Sequence, residues 1–358
     1  MRVSQQSVTN TQKRFFSPIA RIVLFALILP LFDTALFPTS TWSSDADRAA
    51  DSQTSVPKTP NDLFILIPAN PTFRFAVSLN NRNGGEKAPI LSAYYLAKYP
   101  VTNEEYQTFL QETNAVRYPK YWVNGDYPSG KSKHPVLDVS YEDALSYCRW
   151  LETKYSGWSF RLPTEAEWEN AAAGPEHFVF PWGNNDENRM EGDQLITRFN
   201  YNAVVSFHFL RIDPDRLVEF CHERSPRKGE RVRLSEVLSV RPGGAIQGWI
   251  DHRTYTGFVY TDLFRELSSE GGFTTPVDQY PQGKSEYGCY DMAGNSWDWT
   301  SSNITATNGA EKGKTVKAIR GGSWYANKNS CRTGYRGEGR RAQGAFNTVG
   351  FRVAANSQ

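Results

Sequence analysis

Apolar and polar positions alternate along this chain in short bursts whose period changes often. Phe64 to Pro68 and Ala93 to Ala97 are brief runs rich in aromatic and β-forming residues, parted by the turn-prone segment Asn80 to Glu86. Both predict strands. Thr102-Asn103-Glu104-Glu105 has capping-box spacing: the Thr102 oxygen can accept the Glu105 amide hydrogen while the Glu105 carboxylate reaches back. A helix is therefore predicted there, with Tyr106, Phe109 and Leu110 on one face. Ser140 to Asp143 repeats the start signal, and Ala144, Tyr147, Cys148 and Leu151 follow at helical spacing to about Lys154. Thr164 to Glu167 is a third such box, ahead of Trp168, Ala171 and Ala172, and this helix is predicted to end at Gly174. After Pro181-Trp182-Gly183-Asn184 the pattern turns β-like, with Val232 to Val240 and Ala245 to Tyr260 on either side of Pro242-Gly243-Gly244. That arrangement predicts a hairpin.

The N-terminal residues read as an address. Arg2, Lys13, Arg14 and Arg21 precede the apolar run Ile22 to Phe32, and a run of about eleven residues is short against the about 20 that a spanning helix needs. Residues 1–42 are expected to be a signal peptide; the alternative is an uncleaved anchor extending through Leu36. Residues 43–61 are polar and too poor in large apolar side chains to offset the entropy of ordering, so they read as a flexible leader. The folded part is expected over 62–358, exported to a periplasmic or extracellular location and membrane-associated only if the first segment is retained.

Composition narrows the partners. A net charge of +2 with no block of like charge gives no basic stripe for nucleic acid, and Arg211 to Arg233 interleaves both signs as a solvated face does. The 14% aromatic content, beside 27 Gly and 20 Pro, predicts a loop-rich fold in which rings clamp irregular backbone. Export would permit disulfides, and Cys148, Cys221, Cys289 and Cys331 allow three pairings among which the sequence does not choose. None lies in a CxxC pair and the His residues are scattered, so a structural zinc site is not expected.

The blocks VTNEEY, PVLDVSYEDALSYCRWL, RLPTEAEWENAA, PWGN, YGCYDMAGNSWDWT, RGGSW and GFRVA, in that order, resemble the sulfatase-modifying factor, or formylglycine-generating enzyme, family. The resemblance runs from about Phe64 to Ala355. It implies a compact α+β fold, a variant of the C-type lectin fold with little regular secondary structure; residues of about 190–265 have no counterpart in the family pattern and read as an inserted β-rich segment. The family's active enzyme oxidises a sulfatase cysteine to formylglycine with molecular oxygen and a copper(I) ion held by two thiolates just after the RGGS block. In this sequence those positions are Ala326 and Cys331. Soft thiolates select Cu(I), and Asn327 and Asn329 are hard donors that do not replace one, so copper is not expected.

The resemblance further implies catalytic positions at Ser323 and Cys331 and a cleft lined by Arg320, Trp324, Tyr325, Ala326 and Asn327. It places a structural calcium ion on Asp291, Gly294, Ser296 and Asp298, a donor set of carboxylates and carbonyls in a tight loop that suits a hard cation. A second family calcium site would need an acid where this chain has Gly271-Gly272-Phe273, and is not expected. Cys148 matches one half of a family disulfide whose other position is Val353, so that bridge is not expected either. The leading expectation is an exported family member that uses its cleft to bind a peptide, glycan or partner protein. The alternative is an oxidoreductase, either of the formylglycine-generating type with a second thiolate from Cys221 or Cys289, or a copper-independent tailoring oxidase working through Cys331, Tyr325 or Tyr335.

Overall fold

A computed structural model describes residues 60–76, 89–185, 189–191, 194–201, 238–240, 246–249, 267–307 and 311–357. The expected signal segment, nearly all of the leader, Cys221 and the charged stretch Arg211 to Arg233 lie outside the described residues.

All three capping boxes form. Helix α1 (Asn103–Thr113) starts on Thr102, α2 (Tyr141–Lys154) on Ser140 and α3 (Glu165–Ala173) on Thr164, each with the reciprocal bond from the acid three residues on. The expected inward faces are buried: Tyr106, Phe109 and Leu110 on α1, and Ala144, Tyr147, Cys148 and Leu151 on α2. Helix α3 goes further, with every residue from Glu165 to Ala173 buried, and stops at Gly174. Three glutamates therefore enter the interior with it, and each needs a partner there.

Two four-stranded sheets carry these helices. The first, in spatial order β1-β2-β12-β3, joins β1 (Phe64–Ile67), β2 (Tyr94–Ala97), β3 (Trp158–Arg161) and β12 (Ala354–Ser357), all antiparallel. The second, in order β10-β9-β8-β11, joins β8 (Trp297–Thr305), β9 (Thr315–Arg320), β10 (Gly339–Arg340) and β11 (Val349–Gly350), with β11 parallel to β8. The observed mixture of short helices and mixed sheets is the α+β class expected.

Short two-stranded pairs fall within the segment read as an insertion: β4 (Arg189–Glu191) with β5 (Gln194–Ile196), and β6 (Leu238–Val240) with β7 (Ile246–Trp249). The second pair falls within the predicted hairpin, whose other residues lie outside the described residues. Residues 197–201, numbered inside the same segment, are part of the core instead: Phe199 and Tyr201 are buried, and the Asn200 Nδ2 donates to the Phe273 carbonyl at 2.7 Å.

The main core gathers α1, α2, the strand residues Trp297, Trp299 and Ile319, and Phe351 just after β11. Trp299 is fully buried, and its indole N–H donates to the Val139 carbonyl at 3.0 Å, so a large apolar ring and a satisfied polar tip share one position. Cys148 and Val353 both belong to this core. The chain thus fills with apolar packing the place where the family resemblance would put a sulfur bridge.

Candidate functional site

The strand β9 ends at Arg320, and the chain turns through Gly321 and Gly322 into Ser323, Trp324, Tyr325, Ala326 and Asn327 before a short 3-10 turn, Lys328–Cys331. Gly322 has φ +80, and a Cβ there would stand 2.4 Å from the Cys331 Sγ. Only a residue without a side chain lets the two halves of this loop close on one another.

The loop does not present all its residues to a cleft. Arg320 and Trp324 are 0% exposed and Ser323 is 1% exposed, whereas Tyr325, Ala326 and Asn327 are half-buried. The expectation that Arg320 and Trp324 line a cleft is corrected accordingly. The physical reason for Arg320 lies on α3: its Nη1 pairs with Glu165 at 3.0 Å, its Nη2 pairs with Glu169, and the same nitrogen donates to the Thr333 carbonyl at 2.5 Å. It neutralises acids that the all-buried helix carries inward. Arg161 does the same for Glu167 through two bonds of 2.6 and 2.7 Å.

Cys331 is completely buried in a cluster with Phe180, Phe199, Tyr201 and Ala293, against which the half-buried Trp182, Phe273 and Ala326 pack. Trp182 stacks on Phe180 and also meets Phe199, both with ring centroids 5.3 Å apart. Burial pushes the Cys331 thiol well above its ordinary range, outweighing the backbone amides of Ser323 and Gly294 that favour the thiolate. The other described cysteines lie elsewhere: Cys148 in the main core and Cys289 in a separate cluster with Trp168 and Met292. All three are free and buried. Among the described residues no second thiol joins Cys331, and no group of three or more His, Cys, Asp or Glu side chains is placed to hold a metal. The donor set at positions 326 and 331 does not fit a copper(I) ion.

The other expected site, Asp291 to Asp298, leads into β8. Asp291 and Asn295 take positive φ of 52° and 60°, a conformation that short polar side chains tolerate. The Asn295 amide nitrogen donates to Asp291 Oδ2 at 2.8 Å and to the Thr275 carbonyl at 3.0 Å. At Gly294, with φ +75, a Cβ would stand 2.0 Å from the Asn200 carbonyl oxygen. Asp298 Oδ2 accepts from Arg352 Nε at 2.6 Å and from Trp168 Nε1 at 2.8 Å. Arg352 is itself fully buried and also donates to the carbonyls of Tyr290 and Asp291, at 2.9 and 3.2 Å. It holds both ends of the loop.

Two oxygens in this loop, Asp298 Oδ1 and Ser296 Oγ, are buried without a hydrogen-bond partner. Burial raises the Asp291 carboxyl to about 7, with Asp298 and Asp278 adding in the same direction and the Asn295 bond and Arg352 opposing. Burial likewise raises Asp298, against the pull of Arg352. Orphaned carboxylate oxygen and a destabilised neighbouring acid are the features a hard cation would relieve. The Asp291 carboxylate, Asp298 Oδ1 and the carbonyls of Gly294 and Ser296 are the groups that would hold such an ion.

Several residues of these sites carry no signal of their role in the sequence. Arg352 lies in the GFR block, but its bond to Asp298 spans 54 residues; Trp182 enters through packing, and Asn200 and Asn295 through hydrogen bonds to Phe273, Asp291 and Thr275. A hint existed for Arg320 and Arg352 alike, because buried acids such as those of α3 demand cations from somewhere in the chain.

The family model of the sulfatase-modifying factor enzyme 1-like domain matches residues 50–210 and 247–357. The formylglycine-generating enzyme of Bos taurus is 25% identical over 369 residues, covering 86% of this chain and 79% of that protein. A protein described as inactive C-alpha-formylglycine-generating enzyme 2, also from Bos taurus, is 25% identical over 235 residues, covering 63% of this chain and 52% of that one. Among solved structures, PvdO from Pseudomonas aeruginosa is similar with a TM-score of 0.48 at 19% identity, covering 82% of this chain and 94% of that chain. With a family match over most of its length, spanning both loops described above, this chain belongs to the sulfatase-modifying factor enzyme 1-like family.

Proposed function

We propose that this protein is a copper-independent member of its family that recognises a segment of peptide at the surface formed by Tyr325, Ala326, Asn327 and Trp182. The observation that carries the reading is Ala326: a methyl group packs against the aromatic cluster at the position where the family resemblance requires a thiol, while Cys331 is sealed beneath it. A lone thiol with a raised pKa is a poor metal ligand and a poor nucleophile. Half-buried aromatics beside amides suit recognition, since rigid rings supply contact area at low entropic cost and amides fix register. The relative described as inactive supports a non-catalytic role within the family.

Two features accompany this reading. A calcium ion on Asp291, Gly294, Ser296 and Asp298 would supply positive charge that stiffens the loop leading into β8; Arg352 keeps the loop's carbonyls in place in either case. Export by the N-terminal segment would deliver the protein to the periplasm or outside the cell, the compartment where calcium is plentiful. No helix among the described residues is long and apolar enough to cross a membrane.

The test is a Cu(I) competition titration run beside an assay for oxidation of a cysteine-containing sulfatase peptide. The expected result is no tight copper site and no formylglycine, with direct binding to members of a peptide array. Stoichiometric tight copper with peptide oxidation would overturn the proposal and establish the alternative, an oxidoreductase drawing its second thiolate from Cys221. Peptide oxidation that persists under a copper chelator would instead establish a copper-independent oxidase.

A further inference from the structure

Between Tyr325 and Phe346 the chain carries Lys328, Arg332, Arg336, Arg340 and Arg341 against a single acid, Glu338. The other arginines of this stretch have acid partners: Arg336 pairs with Glu165 at 3.3 Å, Arg340 with Glu338 at 2.5 Å, and Arg341 with Glu311 at 3.3 Å. Arg332 differs. Among the described residues its side chain makes no ion pair and no hydrogen bond, although it is half-buried and its Nε is shut off from solvent.

Its place is defined by its neighbours. Cys331, immediately before it, belongs to the cluster that includes Trp182 and Ala326. Thr333, immediately after it, donates from its backbone N–H to the Val179 carbonyl at 3.0 Å and from its hydroxyl to the Phe178 carbonyl at 2.5 Å. The Arg332 side chain therefore leaves the backbone where the loop and the Phe178–Trp182 segment meet. A guanidinium whose Nε is withdrawn from water and meets no protein acceptor is unfavourable in the free protein. Its planar fork of donors matches a carboxylate, two parallel bonds at a time.

We infer that the peptide recognised at this surface carries a carboxylate, and that Arg332 binds it. The inference rests on the recognition reading above and adds the chemical class of the ligand. The remaining arginines of the stretch are occupied by their own acids, so the specificity falls on one side chain.

The experiment uses the purified protein against an array of randomised decapeptides in four arms: Glu, Gln or Lys fixed at one position with amidated C-termini, and the Gln arm with a free C-terminus. Wild-type protein is expected to bind the Glu arm, the free-terminus arm or both at least about tenfold more tightly than the amidated Gln arm, and the Lys arm least. Which of the first two wins tells an internal acid from a chain terminus. In Arg332→Gln the preference should vanish while residual binding and thermal stability persist, and Arg332→Lys should keep part of it. Equal binding of the Glu and amidated Gln arms by wild type, or an unchanged preference in Arg332→Gln, would overturn the inference and leave the recognition reading standing. Absence of binding in every arm would overturn both.

Discussion

Replacing Asp291 by Asn separates the electrostatics of the Asp291 to Asp298 loop from its shape, because the side chains are isosteric while the charge is lost and one acceptor oxygen becomes an amide donor. The Asp291 carboxyl moves from 3.8 in its ordinary state to about 7 in the fold, chiefly through burial. At about 1.4 kcal/mol per unit this is a cost on the order of 4 kcal/mol for carrying the charge in the cation-free protein, before relaxation of the loop reduces it. The folded state binds the proton more tightly than the unfolded chain between pH 4 and 7. In that window stability contributed by this group falls as pH rises, and above pH 7 the full penalty is present. Bound calcium would reverse the trend by making the carboxylate a ligand, and at a hundred times its dissociation constant it would add about 2.7 kcal/mol. The assay is urea unfolding at pH 5 and pH 8, each with chelator and with calcium, on wild type and Asp291→Asn. The difference between the two proteins isolates this group from Glu169 and Asp298, which burial also raises, and from Glu167, which Arg161 holds low. Without calcium, wild type should lose stability from pH 5 to 8 relative to Asp291→Asn, and calcium at pH 8 should rescue wild type alone. Identical pH slopes and an equal calcium response in the two proteins would refute both the burial argument and the ligand assignment.

Ala326→Cys should restore a pair of thiols and tighten Cu(I) binding at least about 100-fold over wild type, measured by competition with a chromogenic chelator; no gain would mean that Cys331 is inaccessible even to a neighbouring sulfur. Arg320→Met should destabilise the fold by about 3–5 kcal/mol in chemical denaturation, since Glu165 and Glu169 lose their shared partner in the interior. Adding Glu165→Gln and Glu169→Gln to that variant should recover part of the loss.

Local signals were legible and long-range ones were not. Each capping box joins residues three apart, so Thr102, Ser140 and Thr164 declare their helices without help from the rest of the chain. The strands Phe64–Ile67 and Tyr94–Ala97 were visible for a similar reason, as apolar bursts between turns. Their sheet was not, because β12 enters between β2 and β3 from more than 190 residues away, with Ala354 opposite Arg161. At the site the sequence marks the loop Ser323 to Cys331 but not which side of it faces inward. Arg320 looks like a cleft residue until Glu165 and Glu169 are found 155 and 151 residues upstream. The orphaned oxygen of Asp298 and the orphaned Nε of Arg332 depend on what fails to reach them, and no spacing along the chain encodes that.

The interior position of β12 also has a kinetic meaning. Every residue from β1 to β11 leaves the ribosome before the strand that knits β2 to β3, so the first sheet cannot close until that strand has emerged. Such high contact order slows folding and prolongs exposure of the apolar strands. A polypeptide destined to be threaded through a translocon gains from that delay, while one left in the cytosol would rely on holdase chaperones for the same interval.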